Sequence, residues 1–173
     1  LTLKSNNNIL LSGDKMIVDA IIEIPMGTKN KYEVEKETGK IRLNRVLYSS
    51  VSYPAEYGFI EDTIAGDKDP LDILVLSSTP TFPGCIVRAR VLGYLELLDR
   101  GEHDEKIIAV AHDDPRFDHL NSIDDLPSHT KDEISEFFKT YKYLQNIKVE
   151  IKDWYSKEEA IKLIEKCQKD YQD

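Results

Sequence analysis

The stretch "LDILVLSSTPTFPGCIVRARVLGYLELLDRGEHDEKIIAVA", residues 71–111, decides the fold, because it carries three apolar runs separated by turn-forming residues. Residues 71–77 and 85–99 predict two strands on either side of the proline- and glycine-containing segment 78–84. Residues 106–111 predict a further short, buried strand. This part of the chain therefore predicts a sheet.

Upstream of this stretch the sequence also favours strands. Residues 16–25 are rich in β-branched side chains and end at a proline, which predicts a strand. Residues 30–47 alternate on both sides of a Glu-Thr-Gly turn, as in a β-hairpin. Residues 53–60, with their aromatic, proline and glycine residues, form either a loop or a short strand. Residues 1–15 are polar and asparagine-rich, which predicts an N-terminal arm.

Downstream of residue 111 the apolar spacing becomes helical. Thr130 and Glu133 predict a capping box ahead of one amphipathic helix, and Ser156 and Glu159 predict a second box ahead of another. The two apolar stripes contain Ile134, Phe137, Phe138 and Tyr141, and Ala160, Leu163, Ile164, Cys167 and Tyr171.

Strands followed by two helices indicate an α+β protein, mainly β, in which a small, partly closed barrel carries the helices on its outside. The chain has no internal repeat and no low-complexity linker. Residues 1–173 are therefore interpreted as a single domain.

Composition and charge argue against several classes of function. The 173 residues carry a formal net charge of −9, whereas general nucleic-acid binding needs a basic face. No apolar stretch approaches the ~18 residues of a membrane span, and residues 1–15 lack the pattern of a secretory signal. The cysteines, Cys85 and Cys167, have no metal-ligand spacing, which favours a reducing, cytoplasmic setting. Cys167 lies on an apolar stripe and is expected to be a buried free thiol.

Aspartates are concentrated at two predicted strand ends. Asp67, Asp69 and Asp72 lie within "AGDKDPLD" (residues 65–72), and Asp99 and Asp104 flank a glycine turn. A barrel could bring these ends together, and such a cluster of carboxylates repels itself unless cations screen it. Mg²⁺ is the usual ion where carboxylates and substrate phosphate share the coordination. An acidic surface turn is the alternative, since Asp and Pro are common turn residues.

A calcium-binding EF-hand is excluded, because its loop would need Gly at position 72 and Glu at position 78, with helices on both sides. Six cationic or phenolic residues lie on neighbouring elements: Lys31, Arg45, Tyr57, Lys106, Tyr141 and Lys142. Each of them alone is explained as a surface charge or a core aromatic. Composition and periodicity do not bring them together.

The chain resembles the soluble family I inorganic pyrophosphatases along nearly its whole length. The resemblance rests on the order and spacing of the motifs IIEIP, NKYEVE, LNRVLYSSVSYPAEYGFI, GDKDPLDILVL, DRGEHDEKIIAV and FFKTYKYL. It implies a distorted five-stranded, OB-like barrel with two C-terminal helices packed outside. It also implies an inorganic diphosphatase that hydrolyses pyrophosphate to two orthophosphates with several Mg²⁺ ions and a metal-bridged water or hydroxide.

The resemblance further implies roles for individual residues. Asp69 corresponds to the general base on the attacking water. Six acidic residues correspond to metal ligands or to carboxylates beside the metals: Asp67, Asp72, Asp104, Asp99, Glu33 and Glu23. Six residues correspond to the phosphate-binding groups, with Lys106 in a supporting position: Lys31, Arg45, Tyr57, Lys106, Tyr141 and Lys142. The resemblance also implies a homo-oligomer, either the hexamer of many bacterial members, which the short chain favours, or the dimer of eukaryotic ones.

One departure from the family pattern is Lys68, which stands where a small residue, often Gly, is usual. A lysine there would be strained if the backbone had a positive φ. Two other functions stay open. An OB-type binding module would need basic residues and exposed aromatics on one barrel face. A non-catalytic cation binder would leave Arg45, Tyr141 and Lys142 without a role.

Overall fold

The structure, a computed structural model, describes residues 10–12 and 15–172 of the chain. Its strands are β1 (Leu10–Ser12), β2 (Lys15–Ile24), β3 (Asn30–Val34), β4 (Ile41–Val46), β5 (Glu56–Ile60), β6 (Asp72–Leu76), β7 (Ile86–Asp99), β8 (Glu102–Ala111) and β9 (Val149–Tyr155). Its α-helices are α1 (Ser128–Thr140) and α2 (Lys157–Gln172).

Five of the strands close into a ring. β2 pairs with β5, β5 with β6, β6 with β8 and β8 with β7, and β7 pairs again with β2. Only the pairing of β6 with β8 is parallel within this ring. Register shifts interrupt the β2–β5 and β7–β8 pairings, so the barrel is uneven. The predicted α+β, mainly β architecture with a distorted five-stranded, OB-like barrel is confirmed.

The remaining strands extend this ring or stand beside it. β1 pairs with β2, and β9 pairs with the C-terminal half of β7. The predicted hairpin is present as β3 and β4, which form a separate two-stranded sheet. The segment that was either a loop or a short strand is the strand β5. β8 is longer than predicted, because it continues the β7–β8 hairpin out to the tight turn at Arg100 and Gly101.

Alternate residues of the central strands face two apolar clusters, as the two-residue period of a strand requires. Leu74 of β6 belongs to the cluster that contains Phe138 of α1. Ile73, its neighbour, belongs to the cluster that contains Ile164 and Cys167 of α2. Each helix therefore covers one apolar cluster, and burial of this surface is the main force that holds the helices in place. Cys167 is a buried free thiol, as predicted.

The predicted start of α1 was wrong. The helix begins at Ser128, and the carbonyl of Pro127 accepts hydrogen bonds from the backbone N–H groups of Thr130 and Lys131. Thr130 and Glu133 therefore lie inside the helix, and no side chain caps it. The proline sets φ at the N-cap to −53°, and this fixed backbone starts the helix three residues earlier than the capping pattern indicated.

The second capping box is confirmed, since Ser156 Oγ accepts a hydrogen bond from the Glu159 N–H and the Glu159 carboxylate accepts one from the Ser156 N–H. The predicted order of strands first and helices last was wrong, because β9 lies between α1 and α2. It joins the sheet as the partner of β7.

The predicted N-terminal arm falls mostly outside the described residues. Residues 10–12 of it form β1, which is a paired strand. Within the part of the chain that the structure describes, neither helix has the length and the apolar character that crossing a bilayer would require.

Candidate active site

One cavity of about 900 Å³ gathers every residue that the sequence singled out for chemistry. The barrel strands, the β3–β4 hairpin, the loop at 61–71 and the C-terminal end of α1 contribute its walls. Its lining includes the candidate base and all twelve candidate metal-binding and phosphate-binding residues: Asp69, Glu23, Glu33, Asp67, Asp72, Asp99, Asp104, Lys31, Arg45, Tyr57, Lys106, Tyr141 and Lys142. The fold therefore brings together side chains that lie more than 100 positions apart in the sequence.

Lys106 lies at the centre of the acidic group. It is 3% exposed, and its Nζ is 2.5 Å from Asp72 Oδ2 and 2.6 Å from Asp104 Oδ1. Burial alone would lower the pKa of Lys106, but Asp72 and Asp104 reverse the direction and hold it well above its usual value. Lys106 is therefore a permanent cation between two carboxylates.

The same carboxylate binds a buried phenol. Tyr57 OH donates to Asp72 Oδ2 over 2.6 Å, and Lys106 Nζ lies 5.6 Å from the centre of the Tyr57 ring. Burial, with the nearby Asp72 charge, raises the pKa of Tyr57 well above its usual value. The Tyr57 hydroxyl therefore keeps its proton and acts as a donor.

A second carboxylate–lysine pair lies at the end of α1. Lys142 Nζ donates to Asp99 Oδ2, while Asp99 Oδ1 is buried and has no hydrogen-bond partner among the described residues. Burial lowers the pKa of Lys142, and the contact with Asp99 opposes this shift only in part. Tyr141, which is also nearly buried, has its pKa raised by the same loss of solvent.

The third side of the cavity is formed by the hairpin and β2. Glu23 accepts a hydrogen bond from the Val34 N–H over 2.8 Å, yet burial raises the pKa of Glu23 to about 7. Lys31 pairs with Glu33 at 3.0 Å. Burial works against ionisation of Glu33, but hydrogen bonds from Lys31 and Asn44 outweigh it and lower the Glu33 pKa.

Arg45, the cation beside this pair, has an unsatisfied donor. Its Nη1 donates to Asn44 Oδ1 over 2.8 Å, while its Nε is buried without a partner in the described part of the protein. A buried donor without a partner costs free energy, so this atom is suited to an acceptor that arrives from outside the chain.

The loop of residues 61–71, here called the acidic loop, carries the exposed carboxylates of Asp67 and Asp69. Asp67 Oδ1 accepts a hydrogen bond from the Asp69 N–H over 3.0 Å, and the Asp69 side chain is 68% exposed. Lys68, between them, has φ of 69°, so the strain expected for a lysine at this position is present.

The donor atoms fit a hard divalent cation, although they do not form a finished metal site. Among the described residues no group of three or more His, Cys, Asp or Glu side chains is arranged to hold an ion. Lys106 and Lys142 instead donate hydrogen bonds to oxygens of Asp72, Asp104 and Asp99. The buried, unpartnered Oδ1 of Asp99 is an acceptor that a cation would satisfy.

Sequence reasoning missed three residues that line the cavity or contact its residues. Tyr53 is 3% exposed and lines the cavity, Asn44 donates to Glu33 Oε2 over 3.0 Å, and Lys36 forms an ion pair with Asp69. No pattern marks Asn44 or Lys36, because both lie in an exposed hairpin with ordinary composition. The aromatic motif at 53–60 was a signal for Tyr53, since this tyrosine shortly precedes β5, which contains Tyr57.

Comparison with known proteins gives one consistent result. The family model described as Inorganic pyrophosphatase matches residues 20–172. An inorganic pyrophosphatase of Halalkalibacterium halodurans is 55% identical over 151 residues, which are 87% of this chain and 93% of that protein. One from Synechocystis is 49% identical over 155 residues, covering 90% and 92%.

Solved structures agree with the sequence relatives. The inorganic pyrophosphatase from Thermus thermophilus is 41% identical with a TM-score of 0.89, and the match covers 98% of this chain and 100% of that one. The inorganic pyrophosphatase from Helicobacter pylori is also 41% identical with a TM-score of 0.89, over 100% and 99% of the two chains. The similarity therefore extends over the barrel, both helices and the whole cavity.

Proposed function

Since the chain belongs to the soluble family I inorganic pyrophosphatases and is an inorganic diphosphatase, we propose that it hydrolyses pyrophosphate in the cavity described above, with Mg²⁺ as its metal. The observation that carries the proposal is the gathering of all thirteen candidate residues around one cavity. Neither the binding-module nor the cation-binder alternative accounts for thirteen candidate residues, seven carboxylates, four cations and two phenols, that line one cavity.

The charge of the cavity supports the need for divalent cations. Pyrophosphate is densely anionic, and the carboxylates of the site outnumber its lysines and arginine. Asp67, Asp72, Asp99 and Asp104, with Glu33 and Glu23 beside them, would hold the Mg²⁺ ions. When bound, several Mg²⁺ ions would offset the charge of the substrate and lower the pKa of a water that they share, which provides the nucleophile.

The cationic and phenolic residues have distinct roles in this proposal. Lys31, Arg45 and Lys142 bind phosphate oxygens, and the unpartnered Arg45 Nε is one donor ready for them. Tyr57 and Tyr141 donate hydrogen bonds without adding charge, because their raised pKa values keep them protonated. Lys106 supports the site from beneath, where it keeps Asp72 and Asp104 in place.

Asp69 is proposed as the general base. Its side chain is 68% exposed, and its Oδ1 is already engaged by Lys36. Oδ2 is then the atom that takes the proton of the attacking water. A positioned base contributes about 10²- to 10⁴-fold to the rate.

The test measures phosphate release from pyrophosphate by EDTA-treated protein, with and without millimolar Mg²⁺. We expect activity only with the metal, and calorimetry should report Mg²⁺ binding in the absence of substrate. Asp69→Asn should keep Mg²⁺ binding and thermal stability but lose at least about 100-fold in kcat. Asp132→Asn, on the exposed side of α1, is the matched control. An unchanged kcat for Asp69→Asn would remove Asp69 from the role of base.

We also propose a cytoplasmic homo-oligomer, with a hexamer favoured over a dimer. The inorganic pyrophosphatase of Halalkalibacterium halodurans is 55% identical to the chain and a soluble inorganic pyrophosphatase of Arabidopsis thaliana is 45% identical, so the sequence is more similar to this bacterial relative. Light scattering on the eluted peak of a sizing column measures the assembly directly, and a monomer would contradict the proposal.

A further inference from the structure

A residue with no role in the site so far connects the hairpin to the candidate base. Lys36 lies in the turn between β3 and β4, and its Nζ is 3.1 Å from Asp69 Oδ1, although the two residues are 33 positions apart. Both residues line the cavity. The pair therefore joins the hairpin to the acidic loop at the cavity wall.

The hairpin presents Lys36 on a fixed backbone. Two residues before it, the Val34 N–H donates to Glu23 Oε1 over 2.8 Å and ties the strand to the barrel. The Glu35 N–H donates to the Lys40 carbonyl over 2.9 Å, and the Glu35 side chain also pairs with Arg42. These contacts join the two ends of the turn that contains Lys36. Lys36 therefore contacts Asp69 from a turn whose backbone is held by hydrogen bonds.

The backbone of Asp69 is held by its own loop, but its carboxylate is not. The Asp69 N–H donates to Asp67 Oδ1 over 3.0 Å, and the Asp69 carbonyl accepts from the Ala65 N–H over 2.8 Å. At 68% exposure, the side chain beyond these contacts has freedom to change rotamer. The contact from Lys36 fixes one carboxylate oxygen and with it the direction of the other.

We propose that Lys36 is a positioning residue for the pyrophosphatase reaction: it holds Oδ1 of Asp69 so that Oδ2 faces the attacking water. The proposal rests on the role of Asp69 given above. Lys36 acts through Asp69 and does not touch the substrate. Its effect therefore falls on kcat, because the geometry of proton transfer depends on small displacements of the base.

The size of the effect follows from the exposure of the pair. Lys36 and Asp69 are 71% and 68% exposed, and ion pairs of this kind contribute up to about 1 kcal/mol, which corresponds to about fivefold. Lys36→Met should lower kcat about fivefold with KM unchanged. Lys36→Arg should recover most of the loss, because a guanidinium can also bind a carboxylate. Thermal unfolding of each variant checks that the fold is intact.

Lys40→Met is the matched control, because it removes the same charge from the same turn while Lys40 is not part of the cavity wall. It should leave kcat and KM unchanged. If Lys36 merely attracted the anionic substrate, both variants would raise KM and both effects would fade with salt. That result would overturn the proposal.

A double variant separates this proposal from the function on which it rests. Lys36→Met should have no further effect on the residual turnover of Asp69→Asn, since the group that Lys36 positions is then absent. A full fivefold loss in the Asp69→Asn background would overturn the positioning role. Normal Mg²⁺-dependent activity with an impaired Asp69→Asn but a fully active Lys36→Met would refute only the role of Lys36.

Discussion

Replacement of Lys106 by methionine tests how the carboxylates of the cavity are held together. Methionine keeps an unbranched, apolar chain of similar length and removes the ammonium group. Asp72 Oδ2 and Asp104 Oδ1 both contact Lys106 Nζ, so these oxygens are no more than about 5 Å apart. At an effective dielectric of about 20, two unit charges at that distance repel by about 3 kcal/mol.

A second route gives the same size of effect. Removal of one partner from a buried ion pair costs about 3–5 kcal/mol, because a charge is left buried without compensation. Lys106 is 3% exposed, and its two partners are 27% and 19% exposed, so the lower end of that range applies. Metal-free Lys106→Met should therefore lose about 3 kcal/mol of unfolding free energy.

The assay is urea unfolding at one protein concentration, first in EDTA and then in millimolar Mg²⁺. The carboxylates freed in Lys106→Met should bind the cation more tightly, and every tenfold gain in affinity adds about 1.4 kcal/mol to its stabilisation under saturating metal. The difference in unfolding free energy between variant and wild type should therefore become smaller when Mg²⁺ is added. Lys152→Met, on the exposed side of β9, is the control and should stay within about 0.5 kcal/mol of wild type. A loss below about 1 kcal/mol in EDTA, or an equal gap in both conditions, would refute the reasoning.

Three further predictions concern regions outside the cavity. Glu56 is fully buried and accepts hydrogen bonds from three donors. Its replacement by alanine should lower the free energy of unfolding by about 3 kcal/mol, as measured by urea unfolding. A hydrogen bond from the Ser78 side chain, with further ones from Arg116 and the Ser78 N–H, lowers the Asp114 pKa to about 2. Its stabilisation is present above pH 4 and lost as the pH falls towards 2, so the Tm deficit of Asp114→Asn should shrink over that interval. Burial raises the pKa of Cys167 to about 11, so at pH 8 a thiol reagent should modify Cys85 in the native protein and Cys167 only after denaturation.

The barrel was predictable because its strands carry their own signals. The alternating and apolar runs that became β2, β6, β7 and β8 are long enough to be told from helices by their β-branched content and their turns. The strand β9 had no such signal. Residues 149–155 contain three charged side chains, only Val149 is fully buried, and its place in the fold comes from pairing with β7.

The start of α1 shows a different limit of sequence reasoning. Thr130 and Glu133 have the spacing of a capping box, and the pattern is correct at Ser156 and Glu159. At α1, Pro127 precedes Thr130, and the fixed backbone of this proline starts the helix earlier. A local pattern therefore decides a helix boundary only where no stronger local constraint stands beside it.

For the candidate site, the sequence showed which residue types are present but not which of them are in contact. The sequence places aspartates at predicted strand ends. Charge and spacing alone do not predict the ion pairs of Lys31 with Glu33 and of Lys142 with Asp99. Those contacts depend on closure of the ring and on the position of α1. Resemblance to a family supplied the assignment in advance. Lys36 stayed hidden because its partner lies 33 positions away in the sequence.

The crowding of aspartates, which the sequence explained by metal ions alone, has a second explanation in the fold. Lys106 neutralises Asp72 and Asp104, and Lys142 neutralises Asp99. Lys31 and Lys36 do the same for Glu33 and Asp69. Each of these lysines is thus an internal counter-ion in the protein without metal. When Asp99 and Glu33 bind divalent cations instead, Lys142 and Lys31 become free to bind phosphate oxygens. Metal and pyrophosphate should then bind cooperatively, because the metal releases the groups that the substrate needs.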